Sequence, residues 1–122
     1  MKTILVVDDS ATMRRMIVAA LRGLGDVAFD QAVSGLEAIE RLALSPVDLV
    51  VLDLNMPDMH GLEVLRFVRT HQTFDRLPVL VLTTRGDDES RAAALAGGAS
   101  AYLTKPFVPE TLLPEVRRLL HA

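Results

Sequence analysis

An open parallel α/β sheet with helices on both faces is the fold the sequence predicts, and two patterns along the chain predict it. Short continuous apolar runs, rich in β-branched residues, occur at Ile4-Leu5-Val6-Val7, Leu49-Val50-Val51-Leu52 and Val79-Leu80-Val81-Leu82. Strands covered on both sides read this way, because neither face can carry polar groups. Between the runs, apolar residues recur at three- and four-residue steps, the spacing of an amphipathic helix.

The elements alternate in order. After the first strand, Met13, Met16, Ile17, Ala20, Leu21 and Leu24 make one helical stripe, read as core. Val27-Ala28-Phe29 is a weaker second strand, and Leu36, Ile39 and Leu42 mark the helix after it. The third strand is followed by Leu62, Leu65 and Val68. After the fourth, the alanine-rich stretch Arg91 to Ala96 is helical, with an inward face its pattern does not select. Ala101-Tyr102-Leu103 is a weaker fifth strand, and Leu112, Leu113, Val116, Leu119 and Leu120 form a last helix. Gly23, Gly25, Gly61 and Gly97-Gly98 punctuate these segments. Five repeats of strand then helix imply a doubly wound sheet, for which two strand orders are common. In either order, ligands bind beyond the carboxyl ends of the strands, at the switch point of the topology.

Composition narrows the function without naming it. A chain of 122 residues fits one domain with a real core. Half of it is hydrophobic, yet no apolar run approaches the roughly 20 residues that span a bilayer. The start, Met1-Lys2-Thr3-Ile4, leads directly into the first strand and lacks the long apolar region of a signal peptide. There is no cysteine, hence no disulfide framework and no thiolate metal site, which fits a cytoplasmic chain. A net charge of −3 argues against generic nucleic-acid binding.

The strand ends carry the chemistry. The first strand ends in Asp8-Asp9, the third in Asp53, the fourth in Thr83 and the fifth in Thr104-Lys105. If the first and third strands are neighbours, three carboxylates converge, and they cannot all stay ionised in a partly dry pocket without compensation. A divalent cation supplies that compensation, and an all-oxygen site with few carboxylates suits Mg2+. Lys105 is one of only two lysines, with Lys2, among 13 basic residues, and can pair with a carboxylate or a phosphate. Thr83 offers a hydroxyl to a phosphoryl oxygen. A nucleophilic carboxylate, a metal, a lysine and a hydroxyl suffice for phosphoryl transfer, which needs chiefly positioning and charge neutralisation. Taken singly, each has an ordinary structural reading: Ser10 and Asp8-Asp9 as helix caps, Asp53 and Asn55-Met56-Pro57-Asp58 as turn residues, Lys105 as a solvated charge. Their joint placement at successive strand ends favours a site.

Together these residues resemble the receiver domain of two-component response regulators over the whole chain, and within that family the free-standing chemotaxis regulators most. The resemblance rests on Asp8-Asp9, on Asp53-Leu54-Asn55-Met56-Pro57-Asp58-Met59-His60-Gly61, and on Thr83, Gly98-Ala99, Tyr102 and Lys105-Pro106-Phe107. It implies a flavodoxin-like (βα)5 fold with strand order 2-1-3-4-5. It implies Asp53 as phosphoacceptor, Asp9 as a direct Mg2+ ligand, Asp8 as a ligand through water, and the Asn55 backbone carbonyl as a further ligand. Lys105 would contact the phosphoryl group, Thr83 would swing toward it, and the ring of Tyr102 would turn inward. A cis Lys105-Pro106 bond is implied as well. The face of the fourth helix, fifth strand and fifth helix would then favour another partner. Thr84, where the family often has a smaller residue, bears on donor access, while Asn55 and Arg85 flank the site as positions that tune autodephosphorylation.

Further expectations follow from the resemblance: a histidine kinase or histidine phosphotransfer protein as donor, a downstream protein target, and a monomer. The chain is expected to be a self-phosphorylating and autodephosphorylating switch and not a turnover enzyme. Residues 1–122 are expected to be receiver throughout, with no output domain after His121-Ala122. A phosphorelay intermediate, or a receiver cut from a larger regulator, shares the same pocket and stays open. Two rivals outside signalling fit poorly. Aspartate-nucleophile phosphatases place the nucleophile after the first strand with a second aspartate two residues on, whereas position 55 here is Asn. A flavin or nucleotide carrier wants a glycine- or hydroxyl-rich phosphate loop where this chain has Asp8-Asp9, whose carboxylates repel a bare phosphate.

Overall fold

The computed structural model describes residues 1–121. Five strands, β1 (Lys2–Val7), β2 (Val27–Ala32), β3 (Leu49–Leu52), β4 (Val79–Thr83) and β5 (Ala101–Thr104), form one parallel sheet in the order β2-β1-β3-β4-β5. Five helices alternate with them: α1 (Ala11–Leu21), α2 (Gly35–Leu44), α3 (Gly61–Thr70), α4 (Asp88–Ala96) and α5 (Pro109–Leu120). This is the flavodoxin-like arrangement, and the step from β1 to β3 is its switch point.

Strand periodicity divides the interior into two cores. Ile4, Val6, Val51, Leu80 and Leu82 face one side and pack with Ile17, Leu21, Leu112 and Val116 of α1 and α5. Leu5, Val7, Val50, Leu52 and Val79 face the other and meet Ala38 and Leu42 of α2 and Val64, Leu65 and Val68 of α3. The register Ile4↔Leu49 through Val7↔Leu52 brings β1 and β3 to an end side by side, so Asp8 and Asp53 leave the sheet together. The Asp53 N–H donates to the Val7 carbonyl at 3.0 Å, which extends the ladder by one step.

Helix ends follow from local chemistry. Ser10 Oγ accepts the Met13 N–H at 3.2 Å and Ser34 Oγ accepts that of Glu37 at 3.1 Å, so both serines are N-caps. Pro109 opens α5, where its missing N–H costs nothing. Pro114 lies inside α5, where it cannot donate to the Glu110 carbonyl, and the helix continues through it.

Several expectations need correction. Met16 is 48% exposed, and Leu24 lies in a 3-10 turn beyond α1; Val18, outside the expected stripe, is buried. Leu36 is likewise exposed, while Gly35, against Met59 and Val64, and Ala38 are buried. Both helices turn their smaller residues inward at these points, which periodicity weighted by hydrophobicity overlooks. β2 runs on through Asp30 and Gln31 to Ala32, because an edge strand tolerates polar side chains. On α4 the ambiguous stretch resolves to one buried residue, Ala94. Among the described residues no helix is long and apolar enough to cross a membrane.

Candidate functional site

All the strand-end residues singled out above meet at the carboxyl edge of the sheet. Asp8, Asp53 and Thr83 are its buried polar residues, and Asp9 beside them is exposed. One carboxylate oxygen from each of Asp8, Asp9 and Asp53 lies within 4.8 Å of the others. Lys105, directly after β5, places Nζ 2.6 Å from Asp8 Oδ2 and 3.4 Å from Asp53 Oδ2. The peptide that follows, Lys105–Pro106, is cis.

The carboxylates of Asp8 and Asp53 are each oriented by a backbone N–H. Asp8 Oδ1 accepts the Ser10 N–H at 2.9 Å, and the Asp8 carbonyl accepts Arg14 Nη1 at 2.6 Å. Asp53 Oδ1 accepts the Asn55 N–H at 3.4 Å. Burial raises the Asp53 carboxyl above its ordinary range; the Lys105 cation opposes this, Asp8 adds to it, and the Asn55 N–H and Thr83 hydroxyl pull it back. A buried carboxylate with one oxygen on a lysine and the other on a weak backbone donor keeps its basicity and is a competent nucleophile.

A folded-state value above the unfolded one stabilises the fold in full only below the ordinary carboxylate range near pH 4, and that stability is lost as pH rises through the folded value. Asp53→Asn, which does not ionise there, is therefore expected to be more stable than the parent at neutral pH without metal. The difference should close as pH falls toward about 4. Thermal midpoints across that range in a chelating buffer check this, and a variant less stable at pH 7.5 would contradict it.

The donor set is hard, oxygen-only and short of positive charge. Three carboxylates share one lysine, which fits a small divalent cation and would suit neither a soft metal nor a bare anion. An apolar groove of about 570 Å³ lies elsewhere, lined by Leu44, Pro46, Phe67, His71 and Phe74 at the C-terminal ends of α2 and α3. It holds none of the groups the chemistry needs.

Around this centre, Thr83 Oγ1 accepts the Arg85 N–H at 3.5 Å, and the Asn55 side-chain amide reaches Thr84 Oγ1 at 3.5 Å. Tyr102 is buried, with its hydroxyl donating to the Arg85 carbonyl, so its ring lies inward in this conformation. The roles of Arg14 and Asp58 here escaped the sequence reading. Arg14 spans from the Asp8 carbonyl to Gln31 Oε1 at 2.9 Å and braces the end of β1 against β2. Asp58 accepts the N–H groups of Gly35 at 3.1 Å and Leu36 at 3.0 Å, capping α2 from the loop that follows Asp53. Those bonds, that of Leu36 foremost, hold its carboxyl below the ordinary range. The sequence placed Asp58 in the turn after Asp53 but did not show its partners, which lie more than twenty residues away.

Residues 4–117 match the response regulator receiver domain. The chemotaxis protein CheY1 of Helicobacter pylori is 38% identical over 118 residues, covering 96% of this chain and 95% of that protein. A CheY homologue of Campylobacter jejuni is 37% identical over 118 residues, 96% of this chain and 91% of its own length. The structure of the chemotaxis response regulator CheY4 of Vibrio cholerae superposes with a TM-score of 0.89 at 36% identity, covering 98% of both chains. With a (βα)5 sheet, an acidic cluster at its switch point and a lysine closing it, the chain belongs to the response regulator receiver family.

Proposed function

We propose that Asp53 accepts a phosphoryl group from a histidine kinase or histidine phosphotransfer protein and that this resets the face of α4, β5 and α5 toward a protein target, as in chemotaxis signalling. The observation that carries this reading is the placement of Asp53. It is a buried carboxylate of raised basicity, 3.4 Å from the Lys105 ammonium and in one cluster with Asp8 and Asp9.

In the transfer, an Asp53 oxygen attacks phosphorus while the bond from phosphorus to the donor imidazole nitrogen breaks. The electron pair leaves with the nitrogen, and an acyl phosphate remains on Asp53. Asp8, Asp9, Asp53 and the Asn55 backbone carbonyl would hold Mg2+. When bound, the ion supplies positive charge against the carboxylates and the phosphoryl oxygens. Lys105, freed from its pairing with Asp53, shifts its ammonium to a phosphoryl oxygen, and the Thr83 hydroxyl donates to another. Arg14 keeps the Asp8 backbone in place during this exchange. The protein acts as a switch that returns to rest by losing its phosphoryl group, not as a turnover enzyme; it works as a monomer in the cytoplasm.

Intact mass after incubation with acetyl phosphate tests the reading. One added phosphoryl group is expected in the presence of Mg2+, with at least a tenfold loss of labelling in excess chelator and none in Asp53→Asn. Labelling of Asp53→Asn to the parent level would move the acceptor elsewhere. Failure of both acetyl phosphate and a purified histidine kinase to label the parent would overturn the reading.

A further inference from the structure

Helix α4 sits on the sheet by a narrow contact. Ala94 is its one buried residue, packed with Leu54, Val81 and Tyr102 in a small cluster separate from the two main cores. One turn before Ala94, and so on the same side of the helix, stands Arg91. Its guanidinium carbon lies 5.7 Å from the centre of the Tyr102 ring, and its Nη1 donates to the Tyr102 carbonyl at 3.4 Å. The Tyr102 hydroxyl donates to the Arg85 carbonyl, and the Arg85 N–H is given to Thr83 Oγ1. The ring is thus fixed at its tip by the β4–α4 loop and covered on its face by α4.

We propose that Arg91 is a positioning residue that latches Tyr102 inward, so that the conformation of the α4–β5 seam is set by Arg91 together with Thr83. A solvated arginine would need no ring and no carbonyl. This one meets both from a single planar group, an arrangement a lysine cannot reproduce because its point charge has no flat face and no fork. The latch also gives α4 a polar attachment where its apolar one is a single alanine. The consequence for a partner rests on the function proposed above, whereas the ring position itself does not.

The chain contains one tyrosine and no tryptophan, so any phenol signal is that of Tyr102. Burial holds this phenol above its ordinary value, Asp87 adds to the rise, and Arg85 and Arg91 oppose it. Removal of Arg91 therefore has opposite signatures. If the ring is released, the phenol gains water and titrates lower; if it stays and merely loses a cation, it titrates higher.

The experiment uses the full chain labelled with 3-fluorotyrosine, without phosphoryl donor, as parent, Arg91→Ala, Arg91→Lys and Arg91→Met. Fluorine NMR is expected to report an about two- to fivefold rise in the outward population in Arg91→Ala, the range of a cation–π contact at a partly exposed site. The phenol should titrate below that of the parent. Arg91→Lys should fall between the two, and Arg91→Met, which keeps an apolar stem without charge or donor, should follow Arg91→Ala. An unchanged fluorine spectrum in Arg91→Ala, or a phenol titrating higher, would overturn the latch. So would a parent-like Arg91→Met, which would reduce the role of Arg91 to packing. Phosphorylation of Asp53 enters none of these measurements, so a failure of the latch and a failure of the phosphoacceptor reading are told apart.

Discussion

Lys105→Met is expected to destabilise the fold by about 3–5 kcal/mol in metal-free buffer at neutral pH, the range for removing one partner of a buried ion pair. The Lys105 side chain is 9% exposed and those of Asp8 and Asp53 are 1% and 7% exposed, so water replaces little of what the ammonium provides. Methionine fills a similar volume, and the loss is then one of charge, not of packing. Two responses should accompany it. Lowering the pH toward the carboxylate range should recover stability, because protonation removes the repulsion that Lys105 had offset. Millimolar Mg2+ should raise the midpoint of the variant more than that of the parent, since the cation meets carboxylates with no competing ammonium. Urea unfolding with and without Mg2+ measures both. A variant as stable as the parent in chelator would mean that the pair contributes nothing net.

The second large effect is expected at Gly61. The first residue of α3 lies so close to the end of β3 that a Cβ would overlap the Asp53 carbonyl oxygen and come within 2.7 Å of Leu54 Cα. These are backbone atoms of the segment that carries Asp53, the proposed phosphoacceptor, and no side-chain rotation relieves the overlap. The Gly61 N–H donates to the Leu54 carbonyl at 2.8 Å, so a shift of the helix also breaks that bond. Gly61→Ala should cost on the order of 3 kcal/mol, at the upper end of overpacking penalties. Phosphoryl acceptance should fall with it, because the displaced atoms position Asp53. Gly23→Ala is the control: its Cβ would meet only the flexible tip of Leu113, at 3.2 Å. Equal losses in the two variants would refute the steric account.

Much of this architecture was legible because buried parallel strands leave a plain trace. The runs at 4–7, 49–52 and 79–82 could be nothing polar on either face, and all three are central strands. Strand order was not in the periodicity; it came with the family resemblance carried by Asp53 and Lys105. The fourth helix resisted because alanines differ too little from one another to mark an inner face, and only Ala94 is buried. The site was legible where its residues end strands. Asp58, Arg14 and Arg91 were not, since each acts through backbone groups or a ring brought to it by the fold. A backbone carbonyl has no letter in the sequence.

The carboxylate of Asp58 on the start of α2 bears on the direction in which a disturbance at Asp53 can travel. On one side the segment after Asp53 is fastened to two amides of α2, with the Met59 side chain against the bare Cα of Gly35 and α3 wedged at Gly61. On the other, α4 has one buried residue, Ala94, and the contacts of Arg91 with Tyr102. The attachments on the two sides of Asp53 are therefore unequal, numerous toward α2 and α3 and few toward α4. On the function proposed above, a push delivered at Asp53 would meet an abutment in α2 and α3 and yield at α4, so unequal attachment would set the path of the signal before any partner arrives.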